Sequence, residues 1–457
     1  MYSIDDTIAA ISTSIGHNGV GIVKISGPEA LSIAQQIFRS AKGISKFQPH
    51  YLHYGHIIEP VSHLIIDEAL VVYMPKPHSY TRQDVIEIQA HGGIVVLRRI
   101  LQLVFTLGAR PAEAGELTLR AFLNGRLDLA QAEAVLDVIE AKTDAALRVA
   151  AEQLNGSLSG QVSQVRALLI DSLAFLEASI DFVEDEIPAQ DVIAPLTEVT
   201  IQLQNLLNTA DHGVIYRQGV KAAIVGRPNV GKSSLLNALL RGNRAIVTDI
   251  PGTTRDTLEE TVNIGGVPLV LVDTAGIRAE TSDTVERIGV ERSQAALQRA
   301  DIALMVIDGS HFLESGDWDI ARLVGGKPAL LVINKNDLAT SQILEPPPDF
   351  LPQVKQIRIS ALTNQGIETL EQEIVELVLG GVTLADTPLV SNPRHKALLQ
   401  QALTHTQAAI QAQQAQLTPD LVSIDVREAV EALGQITGQT VTEDLLNTIF
   451  SKFCIGK

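Results

Sequence analysis

The stretch Gly226-Arg-Pro-Asn-Val-Gly-Lys-Ser-Ser234 fits G-x-x-x-x-G-K-[ST], and its flanks decide how it folds. Lys221–Val225 before it reads as a buried strand, and Ser233–Leu240 after it reads as the start of a helix. Strand, glycine-rich turn and helix are the setting in which the motif carries meaning. Such a loop aims backbone N–H groups at a di- or triphosphate, and the helix N-terminus adds its dipole. Lys232 would reach the outer phosphates and the Ser233 hydroxyl would ligate Mg²⁺, with Asn229, Val230, Gly231 and Ser234 completing the turn. A glycine-rich turn that holds no nucleotide is the competing reading.

Three later stretches follow in the order a guanine-nucleotide domain requires. Val270–Gly276 is an apolar strand ending in Asp273, from which a carboxylate holds Mg²⁺ through water. Thr274, Ala275 and Gly276 come next, and the Gly276 N–H can meet a terminal phosphate. Leu330–Asp337 ends in N-K-x-D. There Asp337 can accept from guanine N1–H and the exocyclic amine, a donor pair that adenine lacks. Lys335 can lay its stem on the ring, and Asn334 can close the pocket. Ser360, Ala361 and Leu362, after the strand Val354–Ile359, complete the base wall. The pattern selects GTP over ATP.

Hydrolysis needs a water-orienting group and a source of positive charge. Many small GTPases carry glutamine directly after D-x-x-G. Here Ile277 stands there and cannot polarise water. Glu286, in the segment downstream of Asp273, can position water; a surface helix carboxylate is its other reading. Thr248-Asp249-Ile250-Pro251-Gly252-Thr253-Thr254 lies where switch I belongs, with Thr254 as second Mg²⁺ ligand. The Asn229 side chain can help hold a monovalent cation against the phosphates, in place of an arginine finger.

The 457 residues suffice for about three domains. Hydrophobic residues make up 46 % and aromatics 4 %, so the cores must be aliphatic. One cysteine rules out a disulfide framework and a cysteine-based zinc site. No signal pattern and no long uncharged apolar run appears, so a cytoplasmic protein with no membrane partner is expected. A net charge of −18 argues against broad nonspecific affinity for nucleic acid.

Residues 1–120 read as α+β, with strand candidates Thr7–Ser12, Gly19–Ile25, Ala69–Tyr73 and Val85–Ala90 and helix candidates Glu29–Phe38 and Gly93–Leu107. Residues 121–217 and 381–457 have helical periodicity, and 218–380 alternates strand and helix. The predicted fold is multidomain: an α+β N-terminal domain, an all-α helical domain, and an α/β P-loop (Ras-like) domain inserted into the helical one. His50, His53, His56 and His63 cluster without a familiar metal-ligand spacing, and a structural or solvent role is favoured. The acidic run Asp181–Glu186 reads as a solvated helix end.

Asp6-Thr-Ile8, Gly19-Val-Gly21, Asp84–Ile88, His91-Gly-Gly93, Arg120–Ala134 and the C-terminal Cys454-Ile-Gly-Lys457 accompany the nucleotide motifs. In this combination the whole chain resembles the MnmE (TrmE) family of tRNA modification GTPases. The resemblance implies a homodimer formed through the N-terminal domain, which binds a tetrahydrofolate derivative (5-formyl or methylene form) as one-carbon donor. It implies a flavin-dependent partner, MnmG (GidA), in a heterotetramer or larger complex. The product is an aminomethyl-type group on carbon 5 of the wobble uridine of certain tRNAs.

Carried over by motif, K⁺ ligands would be Asn229, Thr248, Ile250 and Thr253, and Mg²⁺ ligands Ser233 and Thr254. Glu286 becomes the favoured water-orienting residue. Folate contacts would come from Lys24, Glu87, Arg126 and Lys457. Best-known members carry arginine where Lys24 stands and lysine where Arg126 stands, so charge is kept while the fork and the point charge are exchanged. Cys454 is a buried apolar residue or, as the family implies, a thiol tied to the tRNA modification, with Lys452 and Lys457 able to lower its pKa. Two other functions compete: a ribosome-assembly GTPase switch, for which no basic RNA-binding module is seen, and a GTP-driven dimerising scaffold without one-carbon chemistry.

Overall fold

The computed structural model describes residues 5–14, 16, 18–43, 46–181, 191–243, 260–272, 286–338, 345–380 and 390–456. Two sheets and a helical body organise it. The first sheet has the order β3-β4-β5-β6-β2-β1-β7. Its strands are β1 (Ile8–Ile11), β2 (Asn18–Ser26), β3 (Phe38–Ser40), β4 (Leu52–Ile58), β5 (Ile65–Met74), β6 (Val85–Gly92) and β7 (Arg110–Pro111). Helices α1 (Ala30–Ile37) and α2 (Ile94–Thr106) cover one face, where Val23, Ile25, Ile86 and Ile88 pack against Ile33, Ile37, Leu97 and Ile100. Period-two alternation on β2 and β6 supplies that face, and 3.6-period stripes supply the helices.

The sequence reading missed β3 and β4. β3 has only three residues, and β4 carries two histidines and Gly55. A Cβ at Gly55 would lie 2.2 Å from the Arg39 carbonyl, so the close β3–β4 approach requires glycine there. His53 is buried on β4 and accepts from the Gln48 N–H at 2.9 Å. Among the described residues no three His, Cys, Asp or Glu side chains converge as a metal site would need.

Helices α3 (Glu116–Leu123), α4 (Leu129–Glu140), α5 (Asp144–Leu154), α6 (Ser157–Asp181), α7 (Ile193–Asn208) and α8 (Ala210–Gln218) follow. Of the acidic run, Asp181 closes α6, and 182–186 lie outside the described residues. α6 and α7 bury Leu158, Leu169, Leu196 and Leu203 in one core with Leu399, Val426 and Leu433 of helices Pro393–Gln414 and Pro419–Thr437. Helical segments from before and after the second sheet therefore share a single interior.

The second sheet, order β13-β12-β11-β8-β10-β9, is parallel except for β9 against β10. It comprises β8 (Val220–Val225), β9 (Glu260–Ile264), β10 (Val267–Val272), β11 (Ile302–Asp308), β12 (Ala329–Asn334) and β13 (Lys355–Arg358). β10, β11 and β12 are almost wholly buried, as strands covered on both faces must be. Chain entry and exit are pinned together: a Cβ at Gly213 of α8 would lie 2.0 Å from the Val390 carbonyl. Among the described residues no helix is long and apolar enough to cross a membrane.

Candidate functional sites

β8 runs straight into the glycine-rich loop, and helix α9 (Lys232–Asn243) leaves it. This places the loop at the C-terminal edge of a parallel sheet, where nucleotide folds bind their ligand. Gly226 (φ 155°) would put a Cβ 2.3 Å from the Val306 carbonyl. Gly231 (φ 100°) would put one 2.1 Å from Asn334 Nδ2. Both glycines are thus demanded by the protein's own packing behind the loop. Asn229 holds a left-handed conformation at φ 63°. Lys232 is buried, and its Nζ donates to the carbonyls of Gly226 (2.8 Å) and Arg227 (2.6 Å), closing the loop into a ring around the ammonium.

Asn334, at the end of β12, is 2 % exposed. Its Nδ2 donates to the Val230 carbonyl at 2.9 Å and its Oδ1 accepts from the Ala361 N–H at 3.0 Å. One side chain therefore ties the phosphate loop, the N-K-x-D turn and the Ser360–Leu362 turn together. Ser360, fully buried, donates to Asp337 Oδ1 at 2.6 Å, while Asp337 itself stays exposed. Leu362 is 78 % exposed.

Lys335, at φ 66°, donates to Asp308 Oδ2 at 2.6 Å. Burial pushes the Asp308 carboxyl up, but Lys335 and Ser310 outweigh it and hold it below its ordinary value. The sequence reading missed Asp308; an apolar strand ending in Asp before Gly309 was the available signal. It also missed Arg227, whose Nη1 meets Glu314 Oε1 at 2.8 Å and Asp317 Oδ2 at 3.2 Å at the start of helix Ser315–Val324. Ser233 and Ser234 lie in the first turn of α9. Thr248, Asp249, Ile250, Pro251, Gly252, Thr253, Thr254, Asp273, Thr274, Ala275 and Gly276 lie outside the described residues, as do Ile277 and Lys457. Glu286 opens helix Glu286–Arg299.

A second constellation sits on the first sheet, on the face away from α1 and α2. Lys24 and Glu87 are register partners on β2 and β6, and their charged ends stand 3.3 Å apart. Ala10 pairs with Lys24 from the other side and packs with Tyr80 and Leu117 of α3. Arg126 stacks over the Tyr80 ring at 4.7 Å and donates to the Tyr80 carbonyl. Lys24, Glu87 and Arg126, distant in sequence, thus border one region.

The C-terminal tail reaches the same sheet. Ala114 and Ile455 form a β-bridge, and Gly115 N–H donates to the Cys454 carbonyl at 3.4 Å. At Gly456 (φ 95°) a Cβ would lie 2.3 Å from the Ile11 carbonyl, and Ile11 is the register partner of Val23, next to Lys24. Cys454 is exposed, which removes the reading of it as a buried apolar residue.

Within α3, Arg120 is 1 % exposed and pairs with Glu116 at 2.9 Å and with Asp6. Arg110 reaches Glu116 at 2.6 Å. Burial raises the Glu116 carboxyl, but Arg110, the Glu113 N–H and Arg120 together hold it below its ordinary value. Every buried charge there has a partner, the condition under which such burial is tolerated.

A family model described as "GTP-binding protein TrmE N-terminus" matches residues 7–126, and one described as "MnmE helical domain" matches residues 129–454. The chain belongs to the MnmE family. The protein described as "tRNA modification GTPase MnmE" of Alkaliphilus metalliredigens is 50 % identical over 460 residues, covering 99 % of this chain and 100 % of the relative. Those so described from Roseiflexus castenholzii and Alkaliphilus oremlandii are each 49 % identical, covering 99 % and 100 % of this chain and 99 % and 100 % of themselves. The two MnmE-family models meet between Arg126 and Leu129, at the entry to α4, whose N-cap Asp128 forms a capping box with Gln131.

Proposed function

We propose that this chain is a potassium-activated GTPase that acts in tRNA modification, drawing one carbon from a tetrahydrofolate derivative. With a flavin-dependent partner it builds an aminomethyl-type group on carbon 5 of the wobble uridine. Relatives that match 99 % of the chain bear the name tRNA modification GTPase. The observation supporting the two-site reading is that the C-terminal tail, two residues beyond Cys454, packs at Gly456 against Ile11 of β1 in the sheet that holds Lys24 and Glu87.

On the nucleotide side, Asp337 accepts from guanine with an oxygen pair oriented by Ser360. Lys335, anchored by Asp308, supports the ring. Lys232 and the loop amides neutralise phosphate charge. Ser233 at the start of α9 would hold Mg²⁺ and left-handed Asn229 would help hold K⁺; the family resemblance adds Thr254 to the first set and Thr248, Ile250 and Thr253 to the second, all four outside the described residues. When bound, those ions would supply positive charge where it develops on the transferred phosphoryl group. Glu286 orients the attacking water.

On the folate side, Glu87 accepts from pterin N–H groups, while Lys24, Arg126 and Lys457 receive carboxylate or carbonyl oxygens. A homodimer suits the open face of the first sheet, where Tyr54 opposes Leu70 and both are exposed, at 51 % and 37 %. The protein works in the cytoplasm. Titrating 5-formyltetrahydrofolate into the full chain by calorimetry tests the one-carbon reading. Binding that Glu87→Ala abolishes, with GTP turnover intact, is expected. Absence of folate binding to the native chain would remove the carbon source and leave a GTPase alone.

A further inference from the structure

A cavity of about 330 Å³ lies in the helical body, away from the nucleotide loop. Four separate segments wall it: Glu133 and Leu136 of α4, Arg217 and Gln218 at the end of α8, Asn392–Arg394 at the start of the next long helix, and Leu445–Phe453 before the tail. Its apolar lining comes from Leu136, Leu445, Ile449 and Phe453. The polar side is cationic, with Arg217, Arg394 and Lys452 against one lining carboxylate, Glu133.

That carboxylate is already committed. Glu133 takes two bonds from Arg394, one from Asn392 and one from the fully buried His395. Arg217 gives only its Nε, to Asp137 at 2.7 Å, so among the described residues both its terminal nitrogens are without a partner. Lys452 is exposed, and its ammonium has no partner among the described residues. Asn392 caps a 22-residue helix, whose N-terminal end adds positive potential at the same wall. Uncommitted donors lining one cavity together with apolar side chains fit a phosphate carried on a larger, partly apolar body.

On a chain with 35 basic and 53 acidic residues this wall is cationic on balance: Glu133 offsets Arg394, Asp137 offsets Arg217, and Lys452 is left over. Its rim (Gln218, Pro393, Thr448 and Lys452) is exposed, so a polymer can enter without threading. Lys452 stands two residues from Cys454, and Gln218 at the end of α8 and Asn392 at the start of the next helix both line the pocket.

We propose that this cavity receives a backbone phosphate of the tRNA substrate and so registers the RNA beside the C-terminal tail. The assignment rests on the tRNA-modifying reading above and adds to it a place for the RNA on this acidic chain.

The test is tRNA affinity of the full chain by fluorescence anisotropy, measured as a function of KCl. Thr448→Glu puts a carboxylate on an exposed position of the rim, where the hydroxyl it replaces bonds the Asp444 carbonyl of the same helix; Thr448→Gln is its neutral control. The expected result is roughly tenfold weaker tRNA binding for Thr448→Glu and for Lys452→Gln, none for Thr448→Gln, and unchanged GTP turnover in all three. The salt slope for Lys452→Gln should fall by about 1, as loss of one phosphate contact requires. Native affinity and slope in both variants would overturn the proposal and leave the tRNA reading standing. Inorganic phosphate or a mononucleotide binding the native chain but not Lys452→Gln, with tRNA affinity unaffected, would assign the pocket to a free anion and likewise overturn it. A native chain that binds no tRNA would overturn the underlying reading as well.

Discussion

Asn334 grips Val230 across the nucleotide site: its Nδ2 lies 2.9 Å from the Val230 carbonyl, while its Oδ1 holds the Ala361 N–H. The residue is thus a brace between three loops. Asn334→Ala leaves two buried backbone groups unpaired, at about 1–3 kcal/mol each. GTP and GDP affinity should both fall roughly tenfold or more, measured with a fluorescent guanine nucleotide. Affinity within twofold of native would show that the loops hold their places without it.

Asp337→Asn replaces an acceptor pair with an amide that cannot accept both guanine donors. GTP should bind roughly ten- to a hundredfold more weakly, and xanthosine triphosphate should bind better than GTP, because a charge-assisted pair is lost for one base and a matched pair gained for the other. Unchanged preference for GTP would place the base elsewhere.

Glu286→Ala tests the water-orienting role. Loss of a group acting on the attacking water costs about a hundredfold or more in kcat, while nucleotide affinity should stay within about threefold. Normal turnover would remove Glu286 from the mechanism and return it to a surface carboxylate.

Glu133 ties the two helical halves through Arg394 and His395. Burial pushes its carboxyl up, but His395 and Arg394 prevail and bring it from 4.5 to about 2. A depressed carboxylate stabilises the folded state above its unfolded pKa. That stabilisation, on the order of 3 kcal/mol, is lost as pH falls from about 4.5 towards 2. Thermal unfolding followed from pH 6 to pH 3 should show Tm falling across that window. Glu133→Gln should lower Tm at neutral pH and flatten the acid fall. Parallel curves for the two proteins would assign the acid sensitivity to other carboxylates.

Much of the nucleotide domain was legible because its signals are local. A buried strand, a glycine turn and a helix occupy adjacent residues, and N-K-x-D reads without knowing what packs behind it. What was hidden depends on distance in sequence. Asp308 acquires meaning from Lys335 and Arg227 from Asp317, and although Gly231 was read in the phosphate loop, its packing against Asn334 was not; in each pair the partner arrives through sheet order. β4 escaped because its buried positions include His53 and Gly55, whose places follow from Gln48 and Arg39 rather than from hydrophobic alternation. Lys24, Glu87 and Arg126 had no local signal at all: only the family resemblance named them. Their common neighbourhood comes from β-register and the stacking of Arg126 on Tyr80.

The central claim is a cation-assisted GTPase without a glutamine or an arginine finger. Its most direct test is GTP turnover by the full chain, with Mg²⁺ present, in KCl against NaCl at equal ionic strength. Turnover tenfold or more faster in KCl, lost in Asn229→Ala while nucleotide still binds, is the expected result. Equal rates in the two salts would contradict the account and leave a GTPase whose charge compensation lies elsewhere.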